Sequence, residues 1–256
     1  MHIIDNKKTD FEKYATKHLG IKENLLNYTT TNSLTPNNSL TPYILEEREM
    51  RMTQMDIFSR LMHDRIIWVA GAIDANVSTI VQAQLLYFEN VDKIKDSTMH
   101  IDSGGGSVVN GLGIVDIMDY VSFDIATINT GMCASMASVL LAAGTPGKRS
   151  SLRFSKVMVH QVSGGINGSE NIQDSRISFV ESEKYNFMLA KLLANYSKKT
   201  WKDIIKINTR DKWLTAEESL EYGFIDEIVN NKEGSMLQVS ELMEGFDDYM
   251  KLVQKV

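Results

Sequence analysis

The segment TGMCASMASVLLAAG, residues 130 to 144, places Ser135 among small and apolar residues. The run Asp124–Thr130 before it predicts a strand, and we expect a tight turn at Gly131 and a helix that begins at Ser135 or one residue earlier. A serine at a helix start can attack a carbonyl group while the next backbone N–H, that of Met136, stabilises the developing oxyanion. Packing as a small core residue is the alternative, and this segment alone leaves both open.

Three consecutive glycines, Gly104–Gly106, follow a strand predicted for residues 97–102 and precede a helix. Because glycine permits backbone conformations and close approaches that other residues forbid, this segment can supply a second oxyanion donor. An ordinary turn is the alternative. The sequence GGGSVV has valine where the dinucleotide-binding pattern G-x-G-x-x-G needs its third glycine, so that class of site is not indicated.

A serine nucleophile needs a base, and the chain has five histidines. Three lie in the N-terminal segment or in a charged segment, which leaves His100 and His160 on predicted strands. His160 is a polar residue at the end of the apolar strand VMVHQ, although a hydrogen-bonded structural histidine is the alternative. Asp211 is one of many carboxylates that could orient the imidazole, and spacing alone does not select it.

Two other motifs do not support a site. The segment GTPGKRS, Gly144–Ser150, has two residues between its glycines, whereas a phosphate-binding loop needs four, and it follows a helix rather than a strand. Cys133 has no evident basic neighbour to activate its thiol, so burial as a small residue is the favoured interpretation. The sequence therefore predicts neither a nucleotide site nor a metal site.

Composition narrows the class of protein. The chain has 256 residues, 43% of them hydrophobic, and a net charge of −6 without a basic stripe, which argues against nucleic acid as a partner. No window approaches 18 uninterrupted apolar residues, and the N-terminus lacks the apolar centre of a signal peptide, so no membrane partner is predicted. A single cysteine suits a reducing compartment, and we expect a cytoplasmic protein.

The elements that must position these residues alternate between strand and helix. This alternation predicts an α/β fold with largely parallel strands. Further strands are predicted at Arg65–Gly71, at residues 156–162 and at residues 224–229. Helices are predicted at residues 76–90, 108–121 and 172–196. A short helix is predicted to begin at the capping box Thr215–Glu218 and to end at Gly223.

Residues 1–42 are rich in Asn, Thr, Ser and Pro and contain SLTP twice. Because they have little apolar surface to bury, we predict a flexible N-terminal extension or propeptide, with an ordered arm as the alternative. The folded domain is then predicted to span residues 43–232, followed by a C-terminal tail at residues 233–256.

Together these segments resemble the proteolytic subunit of Clp proteases (ClpP). The resemblance runs from about Leu40 to Val229 through five blocks in the same order: DIFSRLMHDRIIWVAG, SGGGSVVNGL, GMCASMASVLLAAGTPGKR, VMVHQ and RDKWLTAEESLEYGFIDEI. It implies a ClpP/crotonase-like α/β fold of repeated ββα units with a protruding handle, formed by the helix from Ile172 and the loop before it. It also implies a serine endopeptidase.

The resemblance assigns roles by motif. Ser135 matches the nucleophile, His160 the base and Asp211 the orienting acid, and Gly106 and Met136 match the oxyanion donors. The family's partners are implied with them: a homo-oligomer of two stacked heptameric rings, an AAA+ unfoldase that consumes the ATP, and unfolded protein or peptide substrates. No cofactor is implied in this chain itself.

The chain departs from the family pattern at positions that leave the triad intact. Gly104 and Val162 stand where the family usually has proline, and Thr98 and His100 stand where tyrosines often line the docking pocket for the ATPase. Two alternatives therefore stay open: a catalytically silent subunit of mixed rings, and a crotonase-type acyl-CoA enzyme. The partner unfoldase, substrate preference, ring composition and cleavage of the extension are not fixed by these residues.

Overall fold

A computed structural model describes residues 43–48, 51–163, 171–229 and 239–253. The predicted N-terminal extension, the loop before the long helix and part of the tail lie outside the described residues, so the three domain assignments stay predictions. The chain divides into two compact units, residues 1–57 and 58–256. In the first, β1 (Tyr43–Arg48) pairs antiparallel with β2 (Arg51–Asp56), a hairpin that we did not predict.

The remaining elements follow in chain order from the unit boundary. The strands are β3 (Ile66–Ile73), β4 (Ser97–Gly106), β5 (Ile125–Ala134), β6 (Arg149–Leu152), β7 (Lys156–Val159), β8 (Lys212–Leu214) and β9 (Glu227–Val229). The helices are α1 (Ile57–His63), α2 (Ala75–Val91), α3 (Val108–Tyr120), α4 (Met136–Ala142), α5 (Ile172–Tyr196), α6 (Trp201–Asn208), α7 (Ala216–Tyr222), α8 (Val239–Leu242) and α9 (Phe246–Val253).

Within the described residues, β3 to β9 form one seven-stranded sheet. Its main path runs β3-β4-β5-β6-β9, and β7 pairs with the end of β5 and carries β8 at its other edge. Every pairing is parallel except that of β7 with β8. The predicted α/β fold with largely parallel strands is confirmed. Because parallel strands end at the same edge of a sheet, the ends of β4, β5 and β7 lie close together.

β7 ends three residues earlier than predicted, and two further predicted boundaries, both at glycines, are wrong. β4 continues through Gly106 instead of ending before the glycines, and β5 continues to Ala134 without a turn at Gly131. Gly131 is needed for a close approach instead, because a Cβ there would lie 2.6 Å from Oδ1 of Asp102. The same Oδ1 accepts a hydrogen bond of 3.0 Å from the N–H of Met132, so the side chain of Asp102 occupies the space beside the strand.

Helix α4 lies in the centre of the core. All seven of its residues are buried, and it packs against β4, β5 and α3. Gly111 of α3 permits this packing, because a Cβ at that position would overlap the side chain of Met136. The start of α4 is therefore fixed by the core on one side and by the sheet on the other.

The predicted helix signals are confirmed at two sites. Helix α5 has the predicted bounds, and it begins after Asn171, whose side chain accepts the N–H of Asp174 at 2.9 Å. Thr215 and Glu218 form the predicted capping box of α7, and Gly223 ends that helix with φ +82°. These local signals fix the start of α5 and both ends of α7.

Candidate active site

Ser135 connects the end of β5 to the start of α4. Its backbone has φ +54° and ψ −123°, a conformation that non-glycine residues rarely adopt and that is often found at functional sites. Its N–H donates to the carbonyl oxygen of Met158 at 2.8 Å, and its carbonyl oxygen accepts the hydroxyl of Ser138 at 2.6 Å. These bonds hold the strained backbone on both sides of the serine.

His160 is the histidine that contacts Ser135. It follows β7 directly, and its Nε2 lies 2.7 Å from Oγ of Ser135. The pairing of β5 with β7 explains this contact, because Ala134 is aligned with Met158, which places the residues after the two strands side by side. His100 is instead stacked on Trp68 with ring centroids 4.8 Å apart, and burial lowers the pKa of its imidazole.

Asp211 lies on the far side of the imidazole. Its Oδ1 is 3.4 Å from Nδ1 of His160, longer than the roughly 2.9 Å of a well-formed hydrogen bond. Val159 of β7 pairs antiparallel with Lys212 of β8. The residue after Val159, which is His160, therefore lies beside the residue before Lys212, which is Asp211. The carboxylate is 64% exposed, so the contact is loose; catalytic hydrogen bonds are often long before substrate binds.

One of the glycines at the end of β4, Gly105, packs closely against Ser135. Gly105 has φ +90°, and a Cβ there would lie 2.7 Å from Cβ of Ser135 and 2.9 Å from the backbone N of Met136. Gly106 has φ +155°, and a Cβ there would overlap the backbone of Ile73. The glycine run drew attention to Gly105 as part of a possible oxyanion donor, but its close packing against Ser135 was not predicted.

A recess opens beside these groups and is lined by Ser135, Gly106, Met136 and His160. The N–H of Met136 is one of the first in α4, and such groups have no partner within their own helix. The recess therefore brings together a hydroxyl, an imidazole and a backbone N–H, an arrangement that can carry out acyl transfer. The assignment of Gly106 as the second donor stays a prediction.

Asn208, the last residue of α6, also lines this recess and was missed from the sequence. Its carbonyl oxygen accepts a 2.7 Å hydrogen bond from the N–H of Gln161, next to His160. An asparagine near the end of a helix usually serves as a cap or faces solvent, so its sequence context carries no sign of this position.

The groups set aside from the sequence stay outside the site. Cys133 is fully buried, and burial, followed by the negative charge of Asp102, raises the pKa of its thiol well above the usual range. Among the residues that the structure describes, no three His, Cys, Asp or Glu side chains are grouped as metal ligands would be. No helix in the described ranges is long and apolar enough to cross a membrane.

Comparison with known proteins places these residues in one family. The family model described as Clp protease matches residues 47–232. An ATP-dependent Clp protease proteolytic subunit from Bacteroides fragilis is 48% identical over 223 residues, which is 87% of this chain and 99% of that protein. The protein of the same name from Porphyromonas gingivalis is 45% identical over 221 residues, 86% of this chain and 97% of the relative. One from Streptococcus pyogenes is 42% identical over 192 residues, 75% of this chain and 98% of the relative.

Proposed function

The chain belongs to the Clp protease family, and from this premise we propose that it is the proteolytic subunit of an ATP-dependent Clp protease. In this role it is a serine endopeptidase that hydrolyses peptide bonds of unfolded proteins. The observation that carries the proposal is the 2.7 Å contact between Oγ of Ser135 and Nε2 of His160, with Asp211 beyond the ring.

The chemistry is acyl transfer through a covalent intermediate. His160 accepts the proton of the Ser135 hydroxyl as Oγ attacks the substrate carbonyl, and Asp211 stabilises the imidazolium that forms. Negative charge on the carbonyl oxygen is stabilised by the backbone N–H groups of Met136 and Gly106. His160 then protonates the leaving amine, and a water molecule, activated by the same imidazole, hydrolyses the acyl-enzyme.

Assembly into two stacked heptameric rings is the second part of the proposal. Ile177, Phe179 and Val180 of α5 are each between 50% and 63% exposed in the single chain. Apolar exposure of this extent on one helix supports contact with another protein surface. On α2, Ile80 and Tyr87 are exposed to a similar extent, which supports a second contact surface. We assign α5 to the contact between rings.

Substrate delivery requires a partner. The sequence contains no nucleotide-binding motif, so ATP is consumed by a separate AAA+ unfoldase that passes unfolded chains to the peptidase. The peptidase itself needs no cofactor in this proposal, and neither nucleic acid nor a membrane takes part. We place the complex in the cytoplasm, in line with the single, buried cysteine.

A short fluorogenic peptide tests the assignment of the triad. Ser135→Ala and His160→Ala should each lower turnover by roughly 10⁴–10⁶-fold, with little further loss when they are combined, because nucleophile and base act as a unit. Asp211→Asn should cost less, since this carboxylate is exposed and only loosely bound to the ring. Ser122→Ala, at a serine that bonds Glu89 outside the site, is the matched control and should keep its activity. Near-normal hydrolysis by Ser135→Ala would refute the assignment.

A folded protein substrate tests the enclosed chamber. The purified chain alone should cleave peptides slowly and leave a stable folded protein intact, even when ATP is added. Rapid digestion of the folded protein by the chain alone would show that the active sites are openly accessible and would contradict the role of the unfoldase.

A further inference from the structure

The C-terminal tail contains a helix with an exposed apolar side. In α9, Phe246, Tyr249 and Val253 recur at spacings of three and four residues, which places them on one side of the helix. Their side chains are between 45% and 58% exposed, and the rings of Phe246 and Tyr249 are stacked with centroids 6.2 Å apart. Because an apolar helix side is normally packed against another surface, α9 has a side that is available to a partner.

The same tail is acidic. Residues 239–253 contain four carboxylates and one lysine, a net charge of −3. Asp248 is paired with Lys251 at 2.8 Å, whereas Glu244 and Asp247, at the start of α9, are exposed. The segment lies beyond residue 232, where the match to the family ends. A surface that complements this tail combines apolar rings with positive charge.

A surface with these properties lies where α5 packs against α6. The rings of Phe187 and Trp201 meet edge to face with centroids 5.4 Å apart, and Phe187 is 47% exposed. Nζ of Lys191 lies 5.6 Å from both ring centroids, and Nζ of Lys202 lies 5.6 Å from that of Trp201. Among the described residues neither ammonium group makes an ion pair with a carboxylate. We call these four residues the lysine–aromatic patch.

The residues around the patch add to its positive charge. Residues 191–202 contain four lysines and no carboxylate, although the whole chain has a net charge of −6. The next carboxylate along α6, that of Asp203, is engaged in the capping box with Thr200 and lies 3.9 Å from Lys206. The lysine–aromatic patch and the tail therefore have opposite charges, and both expose aromatic rings.

We propose that α9 of one copy of the chain docks on the lysine–aromatic patch of a second copy. The apolar side of the helix packs on the rings of the patch, and the carboxylates at its start meet the two lysines. Docking between copies is favoured over docking within one chain, because both α9 and Phe187 are exposed in the single chain. The tail also leaves from β9, the last strand on the main path of the sheet, and so begins at an edge of the protomer's sheet.

This contact rests on the proposed assembly into rings. A helix of eight residues is about 12 Å long, so it buries far less area than the roughly 800 Å² per partner that usually holds two free proteins together. Within an assembly that larger surfaces hold together, the second copy is present at a high effective concentration, and a small contact can form. We therefore expect the docked tail in assembled particles only.

Cross-linking between cysteines on two different chains tests the contact. One chain carries Val253→Cys on α9, and a second chain with a different affinity tag carries Met188→Cys beside the patch; both positions are exposed, and both variants keep the rings and charges intact. The native Cys133 is buried and does not interfere. When the two chains are coexpressed, a short bismaleimide should join them. Ile94→Cys, at a residue that is 87% exposed, replaces Met188→Cys as the matched control and should react at least about 10-fold more slowly with the tail.

Charge reversal tests whether opposite charges contribute to the contact. Lys191→Glu with Lys202→Glu in the patch chain should slow cross-linking by about 5-fold, the effect of losing one or two exposed ion pairs. Glu244→Lys with Asp247→Lys in the tail chain should slow it to a similar extent. Combining the reversed tail with the reversed patch should restore most of the rate, which a mere loss of helix structure would not allow.

Sedimentation and hydrolysis of a short peptide accompany each measurement. In assembled, active particles, a tail that reacts no faster with Met188→Cys than with Ile94→Cys would overturn the inference and leave the proposed function intact. A product that forms only when both cysteines are in one chain, or a failure of the doubly reversed pair to regain its rate, would overturn it as well. Chains that neither assemble nor hydrolyse the peptide would instead contradict the proposed function, and the docking with it.

Discussion

Gly105→Ala should strongly lower the activity of the enzyme through a single methyl group. The added Cβ would lie 2.6 Å from the carbonyl oxygen of Ala134, 2.7 Å from Cβ of Ser135 and 2.9 Å from the N of Met136. All three atoms belong to the backbone or to a Cβ, so no flexible side chain can move aside. The clash must displace either the end of β4 or the segment that carries Ser135.

The magnitude follows from the size of that displacement. Restoring an ordinary contact of about 3.4 Å to Ser135 requires a shift of roughly 0.7 Å, and a misplacement of about 1 Å can cost about 10²-fold in rate. Gly105 also has φ +90°, which adds strain for any residue with a Cβ. We expect kcat/KM on a fluorogenic peptide to fall by about 10²-fold, and the free energy of unfolding by about 1–3 kcal/mol from overpacking.

Two other glycines provide controls. At Gly104 the nearest atom to an added Cβ is the terminal methyl of Met132 at 3.7 Å, so Gly104→Ala should retain most of its activity. Gly147 has φ +86° with open space around it, so Gly147→Ala isolates the backbone strain. Equal activity of Gly105→Ala and Gly104→Ala would refute the argument that close packing of β4 on Ser135 aligns the site.

Other predictions concern stability and reactivity. In urea denaturation, Asp226→Asn should lower the free energy of unfolding by about 2–4 kcal/mol, because it leaves the guanidinium of Arg149, which is 8% exposed, without its carboxylate. Asp124→Asn removes an exposed ion pair with Lys148 and should lower it by less than about 1 kcal/mol. Equal losses of stability in the two variants would contradict this prediction. The hydrogen bonds from Arg149 lower the pKa of Asp226 in the folded state below its ordinary value of 3.8. The stability that Asp226 contributes is therefore present above that ordinary value and is lost as the pH falls through the lowered pKa. The stability difference between wild type and Asp226→Asn should shrink below about pH 4, and a difference that grew there would contradict this. Cys133 should not react with a thiol reagent until the chain unfolds, because its thiol is fully buried and has a raised pKa. Rapid modification of the folded chain would contradict this and would show that β5 separates from its neighbours in the folded state.

Local sequence signals predicted the elements of this fold better than their junctions. The bounds of α5 and the caps of α7 follow from residues that are neighbours in sequence, and both were predicted correctly. The continuation of β5 past Gly131 depends on pairing with β7 and on the side chain of Asp102, which are distant in sequence. A glycine between two apolar segments therefore indicated a turn that the tertiary structure does not contain.

The candidate site shows the same division between local and long-range information. Its residue type and its place at a predicted helix start made Ser135 a candidate nucleophile, and the chain offered few histidines besides His160 as its base. Spacing in the sequence did not distinguish Asp211 from the other carboxylates. That selection comes from the antiparallel pairing of β7 with β8, a long-range contact. Asn208 could not be recognised for the same reason, because only the packing of α6 beside Gln161 brings it to the recess.

Covalent labelling with a fluorophosphonate, followed by peptide mapping, tests the central claim most directly. An activated serine beside a base should give a single adduct on the peptide that contains Ser135. Labelling should be absent in Ser135→Ala and strongly slowed in His160→Ala, since in the proposed mechanism His160, 2.7 Å from Oγ, is the base that activates the hydroxyl. An adduct at another residue, or an unchanged labelling rate in His160→Ala, would contradict the assignment of Ser135 and His160 as nucleophile and base.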